Sequence, residues 1–549
     1  MTQVANRQVS AALITRVDRY LADAARLGSY AVLRALKAHL LQASEIEWSD
    51  IAWQFVQRGQ PLFAVAVLEL SLTAYPSSME LRYWLGHAHW QVGDAGRAET
   101  ELRRVLAAGL HVDAGKLLAS VLRGVGRLNA AAECMAGIAR AQETDMVGLL
   151  ACIQFVRECQ RQELAGQLCT QALGRGLGDP RLHALAGQIA QELGQFDYAR
   201  KCYDAALALG IDLNSWFVLG SMASLQRYAD PQHPDFALFA EYLQVRGLSP
   251  RARSSILFAH GKAHDDIGDY AAAAKSWRQA NGLMHELVNW SRPAWKGFVQ
   301  ARLAAAAPPL RGRRTDCVPI FVVGLPRTGT TLMAELLGRH PDVCNRGELP
   351  TLEYLAQQLS AGSAAEQSAH IREAAEIYLT HLRRDDAPVG HYIDKNPLNF
   401  RYLDYVAAMF PQARVIHCRR QPRDTALSIW SQPFARDEYA FARDFADIAA
   451  LAEGCDELMA HWRGSLPLPI LTVDYEQLVA DTSTTMDKLL PQLGLEVEDP
   501  VETAVTHPVT PITSASLWQA RQPVHRQSVS RWRHYARLLP ELTQLFPEQ

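Results

Sequence analysis

A glycine-rich stretch, VVGLPRTGTT, lies at residues 322–331 between an apolar run and a pattern of helical spacing. A loop between a strand and the first turn of a helix directs successive backbone N–H groups at an anion. Gly324 and Gly329 have the spacing of a nucleotide-hydrolysing P-loop, whose lysine reaches the terminal phosphates. Here Thr330 stands at the lysine position, and Arg327 lies inside the loop. The stretch therefore predicts a phosphate site that lacks the group for a γ-phosphate, which argues against a kinase or NTPase.

A second basic turn has the same setting further along the chain. The run ARVIHC, which ends at Cys418, has the composition of a buried strand, and a helical pattern follows it. Arg420 lies in the turn, and Ser428 lies eight residues later. A third run, LPILTVDYEQLVAD, again predicts a strand followed by a helix. This alternation from Val318 onward predicts an α/β domain built on a parallel sheet.

Six segments between about Pro319 and Tyr535 occur in an order that resembles a known family. They are GLPRTGTTLMAELLGRHPDV, NRGELPTL, YIDKNPLNF, RRQPRDTALS, VDYEQLV and SLWQARQPVHRQSVSRW. Together they resemble the sulfotransferases that use 3′-phosphoadenosine 5′-phosphosulfate, in particular tyrosylprotein sulfotransferases and related bacterial enzymes. The resemblance implies a P-loop-like fold, sulfuryl transfer to an acceptor hydroxyl, adenosine 3′,5′-bisphosphate as product and no metal. It also explains the missing lysine, because this donor has no γ-phosphate.

The resemblance assigns residues to the two ends of the donor. It implies that Arg327 neutralises charge on the transferred group and the leaving oxygen. It also implies that Arg420 and Ser428 contact the 3′-phosphate. Arg531, which stands where the tyrosylprotein enzymes have lysine, is assigned to the same phosphate. Tyr475 matches a residue that lines the nucleotide site. Contacts to the 5′-phosphate are implied for Thr328, Gly329, Thr330 and Thr331.

Three residues are assigned to catalysis in the same way. Glu348, in an Arg-Gly-Glu segment, matches the glutamate that accepts the acceptor proton. A phenol ionises near pKa 10, so a positioned base accelerates transfer by about 10²–10⁴-fold. Lys395 matches a lysine that stabilises the bridging oxygen, and Ser516 a serine near the leaving group. The alternatives are a helix cap for Glu348 and a solvated turn for Lys395.

Histidines are further candidates for the base that accepts the acceptor proton, because cytosolic small-molecule sulfotransferases use a histidine base. His417 falls inside a predicted buried strand, and His340 precedes a proline at a helix end. Both positions favour a structural role. His391 remains the reserve candidate for the base.

Composition limits the partners and the compartment. The 549 residues carry 55 basic and 58 acidic side chains, a net charge of -3, which gives no global attraction for nucleic acid. Nine cysteines without metal-binding spacing favour a reducing compartment. The N-terminal residues lack a signal-peptide core, and no long uncharged apolar run predicts a membrane span. A cytoplasmic protein is therefore expected.

The first half repeats itself with a period typical of helix-turn-helix arrays. Turn positions at residues 59, 93, 126, 160 and 194 are separated by 34, 33, 34 and 34 residues, and another unit is centred on Gly268. In two units a small residue precedes the turn and an aromatic follows it, as in Gly187 with Tyr203 and Gly261 with Trp277. This pattern, from about Glu47 to Leu283, resembles the tetratricopeptide repeat family. Such arrays bind extended peptides, or serve as scaffolds and dimer interfaces.

The predicted chain is therefore multidomain, with an all-α helical-repeat solenoid followed by an α/β sulfotransferase domain. The solenoid is predicted at 1–305, a Pro- and Gly-containing linker at 306–316 and the sulfotransferase domain at 317–549. The acceptor stays open between a peptide or protein tyrosine held by the repeats and a saccharide, lipid or small-molecule hydroxyl. A non-catalytic repeat adaptor with a vestigial nucleotide fold is the remaining alternative. A homodimer is compatible with the array.

Overall fold

A computed structural model describes residues 44–141, 145–287, 290–305, 308–310, 312, 315–360, 364–434, 436–496 and 526–546, together with residues 15, 18, 19, 22 and 37. Packing divides the chain into two compact units. The first comprises residues 1–168 and 384–386, and the second comprises residues 169–383 and 387–549.

Paired helices occupy the described N-terminal region, as the repeat pattern predicted. They are α1 (Glu45–Gln57), α2 (Pro61–Ala74), α3 (Met79–Gln91), α4 (Ala95–Ala107), α5 (Val112–Gly124), α6 (Leu128–Ala141), α7 (Met146–Glu158), α8 (Gln162–Gly174), α9 (Pro180–Glu192), α10 (Phe196–Ala208), α11 (Val218–Ala223), α12 (Pro234–Leu243), α13 (Pro250–Asp266), α14 (Tyr270–His285) and α15 (Arg292–Ala304). Side chains from the preceding cap residues satisfy the first backbone N–H groups of several helices, including Ser44, Ser78, Asp94, Ser249 and Asp269.

Small residues let the two helices of a repeat approach closely. A Cβ atom on Gly187 would lie 2.5 Å from the ring of Tyr203, and one on Gly261 would lie 2.5 Å from the ring of Trp277. Each aromatic ring therefore packs against the glycine of its own repeat. Tyr203 also belongs to a buried cluster that continues into α11 and α13, so the ring serves both its own unit and the next helices.

The C-terminal region is the predicted α/β domain. Its elements are β1 (Val318–Gly324), α16 (Thr330–Leu337), β2 (Val343–Asn345), α17 (Thr351–Ser360), α18 (Ala364–Arg383), β3 (His391–Asp394), a 3-10 helix (Pro397–Tyr402), α19 (Leu403–Met409), β4 (Arg414–Arg419), α20 (Pro422–Trp430), a 3-10 helix (Asp437–Arg443), α21 (Phe445–Ser465), β5 (Ile470–Asp474), α22 (Tyr475–Ala480), α23 (Thr482–Leu493), a 3-10 helix (Arg531–Tyr535) and α24 (Glu541–Leu545). The predicted fold class is thus confirmed in both halves.

The five strands form one parallel sheet in the order β2-β3-β1-β4-β5. Central β1 is buried along nearly its whole length because helices cover both faces, which explains its continuous apolar composition. Its end at Gly324 pairs with Cys418 of β4, and Phe321 pairs with Asp394 at the end of β3. Strand order reverses around β1, and ligands of open α/β sheets bind beyond the carboxyl ends of strands at such a point.

The last repeat and α15 pack into the core of the α/β domain within the second unit. Trp277, Trp295 and Val299 belong to the same buried cluster as residues of α20 and α21. The indole of Trp295 donates to the carbonyl of Ala450 at 2.9 Å, and the amide of Asn281 donates to the carbonyl of Trp430 at 2.9 Å. Packing therefore continues across the linker predicted at 306–316, although the change from helices to sheet occurs there.

Candidate functional site

The carboxyl ends of all five strands carry residues that the sequence assigned to a site. Because the strands are parallel, these ends lie at one edge of the sheet. The residues are Arg327 in the loop after β1, Glu348 after β2, Lys395 after β3, Arg420 after β4 and Tyr475 after β5. Ser516, predicted near the leaving group, lies outside the described residues.

The glycine loop enters α16 without a side-chain cap. Gly329 is the N-cap, with φ of 92°, and as a glycine it has no side chain that could cap the first turn. Thr330 and Thr331 are buried in this first turn, while the Thr328 hydroxyl donates to the carbonyl of Leu325 at 2.7 Å. The backbone N–H groups of a first helical turn are the part of a helix that binds phosphate. The loop thus has the backbone form that the sequence predicted.

Arg327 occupies a strained position in this loop. Its φ of 69° lies in the left-handed region, which costs a non-glycine residue about 1–2 kcal/mol. Its Nε donates to the Ser428 hydroxyl at 3.1 Å, which links the two predicted phosphate motifs directly. Burial lowers the pKa of Arg327 to about 10, and the charges of Arg420 and Arg531 act in the same direction. We call these three residues the arginine cluster.

Arg420 lies at the centre of the arginine cluster. One terminal nitrogen donates to the Arg327 carbonyl at 3.0 Å, and the other donates to the Ser528 carbonyl at 2.5 Å. Its guanidinium lies 4.7 Å from the centre of the Tyr475 ring. Burial lowers the pKa of Arg420, and its buried Nε has no hydrogen-bond partner among the described residues. A buried donor without a partner is costly, so this atom fits the need for an anionic acceptor.

Arg531 reaches the arginine cluster from the C-terminal segment and is held by the repeat region. Its Nη2 donates to Asp265 of α13 at 2.7 Å, and the hydroxyl of Tyr535 donates to the same carboxylate at 2.5 Å. Burial opposes the charge, but Asp265 raises the pKa of Arg531 above its ordinary value. Sequence reasoning missed Asp265, because no motif connects a repeat helix with a residue 266 positions later.

Asp424 fixes the turn that carries Arg531. Its carboxylate accepts from the backbone N–H groups of Ser530 at 2.7 Å and Trp532 at 2.8 Å. Ser530 has φ of 60°, so the turn itself is strained and these bonds stabilise it. Asp424 stands within the second basic motif, and its position there was the available signal for a supporting role.

Glu348 and Lys395 form an ion pair at the same edge of the sheet. Lys395 Nζ lies 2.6 Å from Glu348 Oε1, and the Lys395 side chain is only 5% exposed. The backbone N–H of Lys395 donates to the carbonyl of Gly347 at 2.9 Å, which aligns the two segments. Arg436 lies 3.9 Å from Glu348 Oε2 with a side chain 53% exposed, so the carboxylate has a second cation on its accessible side. The sequence missed Arg436, since no motif covers its segment.

Buried polar groups support this ion pair from beneath. Asp394 accepts from the backbone of Leu349 at 3.3 Å and from the amide of Asn399 at 2.9 Å, and the Tyr378 hydroxyl also donates to it. Burial raises the pKa of Asp394 to about 7, against three donors that favour the ionised form. The network holds Asp394, the residue before Lys395, against Leu349, the residue after Glu348.

The structure places the three weighed histidines away from these groups. His391 begins β3, pairs with Val318 at the start of β1, and contacts Asp342 at 2.9 Å. It therefore lies at the opposite end of the strands from Glu348. His417 is buried within β4, where burial lowers its pKa to about 3, and His340 accepts from the backbone of Asp342 at 3.1 Å.

The arrangement can bind a multiply charged anion and move a proton. The arginine cluster and the loop N–H groups supply positive charge, while Glu348 supplies a carboxylate beside an ammonium group. Among the described residues, no group of three or more His, Cys, Asp or Glu side chains is arranged to hold a metal ion. No described helix is long and apolar enough to cross a membrane.

Comparisons with known proteins relate this chain to sulfotransferases. The model of the sulfotransferase family matches residues 319–499. An uncharacterised protein of Aquifex aeolicus (strain VF5) is 30% identical over 320 residues, covering 54% of this chain and 42% of that protein. A protein-tyrosine sulfotransferase of Drosophila melanogaster is 26% identical over 231 residues, covering 39% of this chain and 46% of that protein. The chain thus spans less than half the length of these two curated relatives.

A sulfotransferase domain of known structure, from the Synechococcus PCC 7002 olefin synthase, is 20% identical. The match covers 43% of this chain and 96% of that domain, with a TM-score of 0.32. The family match, on the sheet and loops described above, identifies a sulfotransferase domain in the C-terminal part of the chain.

Proposed function

We propose that the sulfotransferase domain transfers a sulfuryl group from 3′-phosphoadenosine 5′-phosphosulfate to an acceptor hydroxyl. The observation that carries the proposal is the arginine cluster at the glycine loop, with the unpartnered Nε of Arg420, at the same sheet edge as Glu348. A donor with phosphate at both its 3′ and 5′ positions supplies the anionic acceptors that these side chains need. No magnesium ligand is required, because no γ-phosphate is transferred.

In this reaction Glu348 accepts the proton of the acceptor hydroxyl. The hydroxyl oxygen forms a bond to sulfur while the bond from sulfur to the bridging oxygen breaks, and that electron pair passes to the 5′-phosphate. Arg327 and Lys395 supply positive charge where the negative charge grows. The contact between Lys395 and Glu348 at 2.6 Å keeps both groups at one place before substrates bind.

Nucleotide affinity tests the donor. Calorimetry should show that adenosine 3′,5′-bisphosphate binds about 10- to 150-fold more tightly than 5′-AMP, since a charge-assisted contact contributes about 1.5–3 kcal/mol. Arg420→Ala should remove most of that preference. Arg419→Ala, at the exposed neighbouring position, is the matched control and should keep it. Equal affinities for the two nucleotides in the wild type would contradict the proposal, as would tighter binding of ATP.

Turnover tests the base. Glu348→Gln should lower the transfer rate by about 10²–10⁴-fold, because it removes the proton acceptor but retains the shape. Bisphosphate affinity should stay nearly unchanged, because Glu348 is assigned no phosphate contact. Glu353→Gln is the control, since Glu353 pairs with Arg401 at 3.1 Å and is assigned no chemistry. Near-normal turnover in Glu348→Gln would assign proton transfer to another group.

We further propose a peptide or protein tyrosine as the acceptor. The relative from Drosophila is named as a protein-tyrosine sulfotransferase, and Glu348 lies within the region that the sulfotransferase family model matches. Near Glu348, Tyr439 stacks on Phe434 with ring centres 4.7 Å apart, which puts aromatic surface close to the base. The repeat helices offer a second binding surface for an extended peptide.

Transfer of labelled sulfate tests the acceptor class. The full chain should label a tyrosine peptide library in preference to pools of saccharides, lipids and small-molecule hydroxyls. Matched peptides with phenylalanine in place of tyrosine should remain unlabelled. Label in the non-peptide pools alone would overturn the peptide assignment while leaving the donor assignment intact.

A further inference from the structure

Asp265 lies in the last turn of α13, where the helix itself gains nothing from a negative charge. The carbonyl groups at the end of a helix repel a carboxylate. The neighbouring Asp266 is compensated by Lys262 of the same helix, at 2.5 Å. Within the described part of the chain, the Asp265 side chain hydrogen-bonds only to the C-terminal segment, to Arg531 Nη2 at 2.7 Å and the Tyr535 hydroxyl at 2.5 Å. The role of this carboxylate therefore lies in that segment.

Arg531 needs a counter-charge because it belongs to a group of three cations. Burial lowers the pKa of Arg327 and of Arg420, and the charge of Arg531 acts in the same direction on both. Before an anion binds, these like charges repel one another. The side chains of Asp265 and Arg531 are only 16% and 23% exposed, so solvent screens their attraction only in part. Asp265 thus opposes the repulsion that would move Arg531 away.

The ion pair leaves Arg531 able to bind a phosphate. The bond to Asp265 uses Nη2 alone, and a guanidinium presents its N–H donors in a fixed fork, so the donors on Nε and Nη1 lie outside this bond. The rings of Trp277 and Tyr535 each lie 5.6 Å from the guanidinium carbon and limit its movement. The side chain is therefore held in one place with donors left for an anion.

We propose that Asp265 is a positioning residue for the nucleotide, which holds Arg531 where it binds the 3′-phosphate. This inference rests on the proposed function, because it uses the 3′-phosphate assigned to Arg531. Asp265 lies outside residues 319–499, which the sulfotransferase family model matches. The last repeat then forms part of the donor site. A guanidinium fixed in advance loses less conformational freedom when the phosphate binds, which increases affinity.

Other contacts join the same repeat to the C-terminal segment without touching Arg531. Arg278 of α14 pairs with Glu541 of α24 at 2.8 Å, and the ring of Tyr270 stacks on His534 with ring centres 4.5 Å apart. A carboxylate that only fastened the segment would resemble Glu541 in its effects. Glu541→Gln is therefore the matched control for Asp265→Asn.

Calorimetry of the full chain with adenosine 3′,5′-bisphosphate and 5′-AMP tests the inference. Asp265→Asn keeps the shape and removes the charge, and it should weaken bisphosphate binding by about 10-fold, the size of one charge-assisted contact. Binding of 5′-AMP should stay unchanged, and Glu541→Gln should retain both affinities. Loss of a negative charge near a phosphate would by itself tighten binding, so weaker binding reports the position of Arg531.

The outcomes separate this inference from the proposed function. A wild-type chain without preference for the bisphosphate over 5′-AMP would contradict both. A wild-type preference that Asp265→Asn keeps or increases would overturn the role of Asp265 alone, as would equal weakening for the two nucleotides. In an Arg531→Ala background, Asp265→Asn should leave the ratio of the two affinities unchanged, because the residue through which it acts is gone.

Nitrogen NMR of the wild-type chain removes the dependence on variant folding. Rotation of the Arg531 guanidinium about its bond to Nε should already be slow without nucleotide, because Asp265 holds Nη2. Its Nε–H signal should then shift with the bisphosphate and not with 5′-AMP. Fast rotation until the bisphosphate binds would show that Arg531 is not positioned in advance and would refute the inference.

Discussion

The repeat turns and the glycine loop use the same left-handed backbone for different reasons. Gly93, in a repeat turn, has φ of 84° and open space where a Cβ atom would lie. Gly324 and Gly329, in the loop, have φ of 142° and 92°, and other atoms fill the Cβ positions. A Cβ atom on Gly324 would lie 2.4 Å from the carbonyl of Cys418, and one on Gly329 would lie 2.7 Å from the Tyr475 ring.

This difference separates a conformational requirement from a packing requirement. The repeat turn needs only a residue that adopts positive φ, and Gln160 does so at the equivalent turn with φ of 59°. The loop needs both the backbone angle and the absence of a side chain, because β4 and the residue after β5 close upon it. Substitutions should therefore be more costly in the loop than in the repeats.

The largest effect is expected for Gly324→Ala. Overpacking costs about 1–3 kcal/mol and the backbone about 1–2 kcal/mol, so the free energy of unfolding should fall by roughly 2–5 kcal/mol. The contact is with a strand carbonyl that cannot move without breaking the sheet. Urea unfolding followed by circular dichroism measures the loss. A loss no larger than that of a repeat-turn variant would remove the distinction between the two regions.

A smaller effect is expected for Gly329→Ala. Its added methyl group meets the ring of Tyr475, a side chain that can move, so the loss should be about 2–3 kcal/mol. In a Tyr475→Ala background the same substitution should cost only the backbone term of about 1–2 kcal/mol. A double-mutant cycle of unfolding free energies measures the difference, and strict additivity would show that the ring does not set the cost.

Gly93→Ala should cost about 1–2 kcal/mol, since only the backbone angle is unfavourable. Gly137→Ala is the matched control in the first compact unit of the chain. Gly137 is exposed inside α6, and no atom lies near the position of its Cβ. That control should raise the stability by about 0.5–1 kcal/mol, because alanine is the better helix former. Equal signs for the two variants in urea unfolding would contradict the turn assignment.

The smallest effect is expected at Gln160. Gln160→Gly should be more stable than Gln160→Ala by about 1 kcal/mol, because both variants remove the side chain and only glycine relieves the positive φ. Comparison of the two variants therefore isolates the backbone from the contacts of the glutamine side chain. A more stable alanine variant, measured by thermal unfolding, would show that the turn does not hold the positive φ at this position.

For the predicted site residues, the sequence indicated the local setting, whereas their contacts with each other required the folded structure. Arg327 and Arg420 each lie within a strand, turn and helix of short span, so local sequence was enough to suggest their setting. Their mutual hydrogen bond, and that of Arg327 with Ser428, join segments about a hundred residues apart and required the folded sheet. The chemical roles assigned to Glu348, Lys395 and Ser516 stay predictions.

By itself the sequence determined the repeat period, the alternation of strands and helices, and the glycine loop, because each is a local pattern of side-chain spacing and backbone preference. Only the tertiary structure decided that Asp265 of a repeat helix holds Arg531, and that Arg436 lies beside Glu348. Ion pairs between distant segments depend on how helices pack against the sheet, and no local period encodes that packing.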